Sequence, residues 1–287
     1  MGYLYALLAT LIWSGNAVAA RFLAESEPAI SVAFWRWAVA LLVCIPATYP
    51  AYRRERKHVR KYWRYLTLLA FIGVALFNTL LYTAAHTTTA FNIAVISTVT
   101  PVVILIFALI SGEKLSMVNL AGFCVAMFGI LLLITDGSPM RILNMNVAVG
   151  DFIMLAAAGI FATYTVLVRK KPVEISINAL IFVTFVLGFL MLLPVYLVQE
   201  FFFAPTNFGT KQVLSFIYIG AFASFASYMF WNRAVTMIGA ARTGAVYYSL
   251  PVFTGFVAYF ILGETLTYMD AVSMCLVGFG VYLTGKK

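Results

Sequence analysis

Leu80-Leu81-Tyr82-Thr83-Ala84, continuing through Ala90 to Pro101-Val102, lines up without a gap on Phe230-Trp231-Asn232-Arg233-Ala234, through Ala240 to Pro251-Val252, 150 residues further on. With one residue of slippage, Gly112-Glu113-Lys114-Leu115-Ser116 then falls on Gly263-Glu264-Thr265-Leu266-Thr267. At the front of each half, Trp13 falls on Phe161 and Arg21 on Arg169, an offset of 148. Self-similarity over so long a period means one structural unit used twice. We read the units as residues 1–135 and 148–287, joined by an external linker at 136–147.

Composition fixes the surroundings of that unit. Of 287 residues, 63% are hydrophobic and 10% charged, against roughly 45–50% and about 25% in soluble domains. Apolar runs of about 20 residues, long enough to cross a hydrocarbon core, recur along the whole chain. They give ten candidate spans at 2–22, 29–50, 64–84, 90–110, 117–135, 148–168, 176–198, 211–232, 242–262 and 268–285. The fold class is therefore an all-α integral membrane protein of ten transmembrane helices, five to a repeat, with too little sequence between spans for an extramembrane domain.

The net charge of +9 reads as topology and not as a nucleic-acid site. With the N-terminus inside, fifteen basic residues fall in cytoplasmic loops, from the Arg53–Arg64 cluster to Lys286 and Lys287. Three fall outside, Arg21, Arg141 and Lys211, and Arg36 lies within a span. This bias puts both termini in the cytoplasm. No Lys or Arg precedes the first apolar run, so it reads as a retained span and not as a signal peptide. Cys44, Cys124 and Cys275 sit inside apolar runs and form no disulfide framework.

Five spans is an odd number, so the second half enters the membrane from the opposite side and the repeat is inverted. Inverted repeats can exchange conformations and so open a midplane site to each side in turn, which implies a transporter. Enzyme readings find little support: there is no metal-ligand spacing, no Gly-x-Ser-x-Gly elbow, no phosphate-binding glycine loop and no buried acid–base pair. No cofactor or metal is expected.

Paired five-span halves, an aromatic residue early in each first span, a mid-span proline and a Gly-Glu-x-Leu-[Ser/Thr] exit resemble the drug/metabolite transporter superfamily, EamA family. Within it the chain is most similar to YddG-type exporters of aromatic amino acids. The resemblance implies a ten-helix basket in a bacterial inner membrane, with a cavity lined by spans 1, 3, 4, 6, 8 and 9 and with spans 5 and 10 peripheral.

Polar and aromatic residues deep in spans point independently to the same six. Span 3 carries Asn78, Tyr82 and His86 on one helical face, and span 8 carries Ser224, Ser227, Tyr228 and Trp231 on one face. Span 1 adds Trp13 and Asn16, span 6 Phe161 and Tyr164, span 4 Ser97 and Thr98, and span 9 Tyr247 and Tyr248. For each, hydrogen bonding to a neighbouring helix or anchoring at the membrane interface stands as the alternative. Pro101 and Pro251 remove an amide donor and kink their helices, acting as hinges. Alternatively, the carbonyls of Ser97 and Tyr247 that they free accept a substrate ammonium.

No Asp or Glu lies at the centre of a span, which suits a neutral or zwitterionic solute with an apolar or aromatic body. Arg36 is read as structural, snorkelling, pairing with an acid or holding a lipid headgroup. His86 is read as a hydrogen-bonded spacer, and Glu113 and Glu264 as favouring the dipole of the following helix. The expected function is secondary export of amino acids by alternating access. Partners are a small-molecule substrate and membrane lipid, with no nucleic acid, and the oligomeric state stays open with a monomer plausible. The alternatives are a drug or nucleotide-sugar transporter of the same superfamily, or a non-transporting membrane receptor or scaffold.

Overall fold

The computed structural model describes residues 1–24, 26–88, 93, 96–135, 137, 138, 140, 148–254 and 268–286, apart from the side chains of residues 17, 18, 20, 21 and 270. Ala90, Asp136, Arg141, Lys287, the 263–267 exit with Glu264, and the side chains of Arg21 and Asp270 lie outside that set.

Every regular element among the described residues is a helix. In chain order they are α1 Gly2–Ala24, α2 Ala29–Lys61, α3 Trp63–Thr87, α4 Val99–Ile110 and α5 Met117–Thr135, then α6 Val149–Arg169, α7 Ile177–Phe202, α8 Thr210–Ile238, α9 Ala240–Val246 and α10 Tyr268–Thr284. Six of them, α2, α3, α5, α6, α7 and α8, are long and apolar enough to cross a membrane. The surface agrees, since Leu42, Ile110, Met117 and Phe152 are each two-thirds exposed or more while Thr10, Asn16, Asn78 and Asn232 are buried. That polarity is inverted relative to a soluble protein, and the chain is a multi-pass membrane protein.

Local chemistry sets the ends. The Gly112 exit closes α4 with two bonds, Gly112 N to the Leu109 carbonyl at 2.9 Å and Glu113 N to the Ala108 carbonyl at 2.9 Å. Gly112 stands at φ +84°, a left-handed conformation that glycine adopts without penalty. Ser116 and Asn119 then cap α5 reciprocally, each side-chain oxygen accepting the other's amide at 3.2 and 3.0 Å. Ser176 caps α7 by accepting the Ala179 amide at 3.2 Å.

Several helix ends lie beyond the sequence expectation, α7 reaching Phe202 instead of 198 and α8 reaching Ile238 instead of 232, and the largest extension is in α2. Span 2 was expected to end at residue 50, yet α2 carries Pro46 and Pro50 inside it and continues to Lys61. Arg, Lys and Glu between residues 53 and 61 are good helix formers, so the helix extends beyond the apolar run with its basic side chains exposed. Glu55 ties this extension to the start of α7, accepting the Ser176 amide at 2.8 Å.

The helices pair between halves. Helix α1 packs on the second part of α8 and α6 on the second part of α3; α2 lies against α7, α4 against α9 and α5 against α10. Three contacts join residues related by the sequence offset itself. The rings of Trp13 and Phe161 stand 5.6 Å apart, those of Trp37 and Phe185 4.7 Å apart, and Asn78 Nδ2 donates to the Tyr228 hydroxyl at 3.2 Å.

Candidate functional site

Helices α3 and α8 each widen into one π-helical turn, Phe71–Leu76 and Ala221–Ala226, at positions 150 apart. A π turn shifts the backbone hydrogen bonds by one residue and turns a carbonyl aside. The carbonyl of Gly73 accepts the Tyr228 hydroxyl at 2.7 Å and Asn78 Nδ2 at 3.4 Å. Its counterpart on Ala223 accepts Trp13 Nε1 at 2.9 Å and Arg36 Nη2 at 2.7 Å. Both point between the halves.

Aromatic rings fill the space beside these carbonyls. Trp13 meets Phe161 at 5.6 Å, Tyr228 at 6.1 Å, Trp231 at 5.2 Å and Tyr247 at 6.1 Å between ring centroids. Phe77 stacks on Phe161 at 4.7 Å. Such separations are contact distances for aromatic pairs, so the centre is closed in this conformation.

Two matching polar pairs flank the rings. Tyr82 OH lies 3.5 Å from Asn16 Oδ1 across α1 and α3, and Tyr164 OH lies 3.1 Å from Asn232 Oδ1 across α6 and α8. The residue types are exchanged between repeats, since Asn16 corresponds to Tyr164 and Tyr82 to Asn232. Trp231 Nε1 donates to Thr165 Oγ1 at 3.1 Å. Arg36 enters the first pair, donating from Nη1 to Tyr82 OH at 2.8 Å and to Asn16 Oδ1 at 3.2 Å.

Of the residues singled out in the sequence, Trp13, Asn16, Asn78, Tyr82, Tyr164, Tyr228, Trp231 and Tyr247 come together. Ser224 is buried at the π turn, but its hydroxyl turns back to the Ile219 carbonyl at 2.8 Å. Ser227 does the same to Phe222 at 3.0 Å, and Ser97 to Ile93 at 2.7 Å. Thr98 is half-buried at the break before α4, and His86 is exposed near the end of α3. Tyr248 goes elsewhere, its ring 5.3 Å from Phe123 in a separate cluster with α5 and α10. Adjacent helical residues point about 100° apart, so Tyr247 and Tyr248 cannot both face the centre.

The prolines lie within the first turn of a resumed helix. The chain turns at Thr98 just before α4, which contains Pro101, and at Tyr247 and Tyr248 before a helical stretch over 249–254 that contains Pro251. The Tyr247 carbonyl accepts the Leu250 amide at 2.9 Å. A tightened bond three residues on thus replaces the one that proline removes. Glu113 also departs from expectation: its carboxylate accepts the Ala240 and Ala241 amides at 3.0 and 3.2 Å. It thus serves the N-terminus of α9 rather than that of the following helix.

Sequence reading missed Asn232 and Thr165, and treated Arg36 as structural. The repeat offset carried the signal for Asn232, which aligns on Tyr82. Arg36 is 2% exposed and bonded to two site residues, so it does not snorkel, and among the described residues it pairs with no acid. Among the described residues, no three His, Cys, Asp or Glu side chains gather to hold a metal.

Apolar outside and lined within by rings, amides, hydroxyls and one guanidinium, this is the architecture of a membrane transporter. The chain belongs to the EamA-like transporter family, which matches residues 1–135 and again 148–286, within the drug/metabolite transporter superfamily. An uncharacterized transporter of Archaeoglobus fulgidus is 27% identical over 99% of this chain and 97% of its own. The uncharacterized transporter YyaM of Bacillus subtilis is 26% identical over 88% of this chain and 82% of its own. A probable terminal-alkyne amino-acid exporter of Streptantibioticus cattleyicolor is 28% identical over 64% of this chain and 60% of its own. A solved protein crystal structure matches with a TM-score of 0.79 over 99% of this chain and 96% of its own, at 17% identity. That likeness bears on the fold alone.

Proposed function

We propose that the protein exports amino acids, aromatic and other neutral ones, across a bacterial inner membrane by alternating access. Ten spans form two inverted halves, 1–135 and 148–287, with both termini cytoplasmic. The basic-residue bias supports this orientation, and the amino-acid exporter among the relatives supports the substrate class.

One observation carries the reading: Trp13 touches its own repeat counterpart Phe161, 5.6 Å between centroids, at the middle of the ring cluster. Residues that meet their counterparts lie on a pseudo-two-fold axis, about which two halves can exchange conformations. The solute's side chain then stacks among Trp13, Tyr82, Tyr164, Trp231 and Tyr247 once the rings part. Asn16, Asn78 and the π-turn carbonyls receive its polar ends, and the breaks at Pro101 and Pro251 are the bending points.

The test is counterflow of labelled phenylalanine, threonine and a nucleotide sugar into liposomes holding the purified protein. Phenylalanine and threonine should accumulate, and Trp231→Ala should reduce their uptake by tenfold or more. Accumulation of the nucleotide sugar alone would move the substrate class, and binding without counterflow would favour a receptor.

A further inference from the structure

Among the described residues Arg36 has no counter-ion, and its guanidinium lies at the edge of the ring cluster. It is 2% exposed, and its three hydrogen bonds go to uncharged acceptors, namely Tyr82 OH at 2.8 Å, Asn16 Oδ1 at 3.2 Å and the Ala223 carbonyl at 2.7 Å. Nε is buried and, among the described residues, has no partner. The ring faces of Trp37 and Tyr82 lie 5.4 and 6.0 Å from its central carbon. Among the described residues the one ion pair is Lys61–Glu174 at 3.8 Å, on a different part of the molecule. A buried charge held only by neutral dipoles is unfavourable, and in a membrane interior an ionisable residue marks a solute pathway by default.

The repeat removes the simplest structural explanation. Arg36 satisfies the π-turn carbonyl of Ala223, but the equivalent carbonyl on Gly73 is satisfied by the neutral Tyr228 hydroxyl and Asn78 amide. At the offset of 148 the counterpart of Arg36 is Thr184, whose hydroxyl bonds back to Leu180 at 2.9 Å within α7. The fold therefore builds the same turn without a cation in one half. The charge is an addition to the first half, beside the residues that the solute meets.

We infer that Arg36 receives the carboxylate of the transported solute. This rests on the transporter reading above and narrows it to carboxylate-bearing solutes with an apolar body. The Nε–Nη2 edge is a planar fork that matches a carboxylate with two parallel hydrogen bonds. Nε stands without a partner and Nη2 holds only the Ala223 carbonyl. A carboxylate arriving on that edge takes both donors and supplies the missing negative charge. The displaced Ala223 carbonyl keeps Trp13 Nε1 as its donor, so the exchange couples solute binding to the π turn of α8 and to the central tryptophan.

The experiment is competition against counterflow of labelled phenylalanine in liposomes holding the full chain. Competitors are unlabelled phenylalanine, 3-phenylpropionate, phenylalanine amide and phenethylamine. In the wild type the two carboxylates should compete at concentrations at least tenfold below the amide and the amine. Arg36→Gln should bring that ratio to within about twofold of one, and Arg36→Lys, which keeps the charge without the fork, should raise the KM for phenylalanine about tenfold with turnover retained. Equal competition by acid and amide in the wild type, or a ratio unchanged in Arg36→Gln, overturns the inference. If Arg36→Gln does not fold, an unchanged KM in Arg36→Lys overturns it. If phenylalanine is not transported at all, the amino-acid reading fails, and thermal stabilisation of the wild type by 3-phenylpropionate over 3-phenylpropanol decides the Arg36 inference separately. Preferential stabilisation that Arg36→Lys loses supports it, and equal stabilisation by acid and alcohol overturns it.

Discussion

Glu27 sits on the loop between α1 and α2 with 2% of its surface exposed. One carboxylate oxygen accepts the Asn207 amide at 3.0 Å, while the other is buried and, among the described residues, without a partner. Burial raises its pKa above the usual carboxylate value, and the Asn207 amide only partly offsets this. A raised folded-state pKa means the native state favours the protonated form. The stability this confers is complete below the unfolded value near 4.5 and is lost as pH rises through the raised one. Glu27→Gln keeps an oxygen for Asn207 and never ionises. Its melting temperature in detergent should therefore gain on the wild type as pH rises from about 4 and level off above the raised pKa. A constant difference between the two across that range would show that Glu27 does not titrate in this way.

At the scale of elements, the α5–α10 pair depends on close backbone approach. Gly122, Ala126 and Gly129 follow helical spacing on α5, facing Ser273, Val277 and Gly280 on α10. A Cβ added at Gly280 would lie 2.4 Å from the Ala126 amide nitrogen and 2.6 Å from the Gly122 carbonyl oxygen. Neither backbone atom can move alone, so Gly280→Ala forces the helices apart at a cost of about 1–3 kcal/mol. Gly278, two residues away, meets nothing within 4 Å, and Gly278→Ala should be neutral or gain up to ~1 kcal/mol of helix propensity. Thermal denaturation of the two variants in detergent checks the contrast, and equal destabilisation would refute it. The sequence disclosed these helices as apolar runs, because length and hydropathy are properties of each segment alone. It also drew notice to Pro101 and Pro251, since a missing amide is written in the residue, while the turns themselves lie at Thr98 and at Tyr247 and Tyr248. The π turns escaped notice, as Phe71–Leu76 and Ala221–Ala226 contain nothing but apolar and small residues plus Ser224 and no local signal distinguishes them. The division between Tyr247 and Tyr248 was equally hidden, because the helix turn that separates them sets which one faces the centre. Arg36 was visible as a charge within a span, but its partners, Tyr82, Asn16 and the Ala223 carbonyl, are a fact of packing that no local pattern discloses.

For the whole molecule, the proposed alternating access has the closed centre open at one end at a time, and Glu113 provides a link that must then break. From the end of α4 in the first half its carboxylate holds the Ala240 and Ala241 amides at the start of α9 in the second, at 3.0 and 3.2 Å. Hydrogen bonds to an ionised group contribute about 1.5–3 kcal/mol each. Losing one such contribution shifts a two-state equilibrium by on the order of 10- to 100-fold. Glu113→Ala should therefore favour the conformation opened at that end, which faces the cytoplasm in the proposed orientation, and Glu113→Gln should do so to a smaller degree. A reporter follows from the native cysteines, since Cys44, Cys124 and Cys275 are all free and can be replaced. A single cysteine introduced by Tyr247→Cys then sits in the ring cluster, beside Trp13. Labelling by a membrane-impermeant maleimide from the Glu113 side should rise at least tenfold with Glu113→Ala, while labelling from the opposite side should fall or stay level. A rise from both sides would mean that the substitution loosens the protein generally. No rise from either side would mean that the two halves are held together at that end by something other than Glu113.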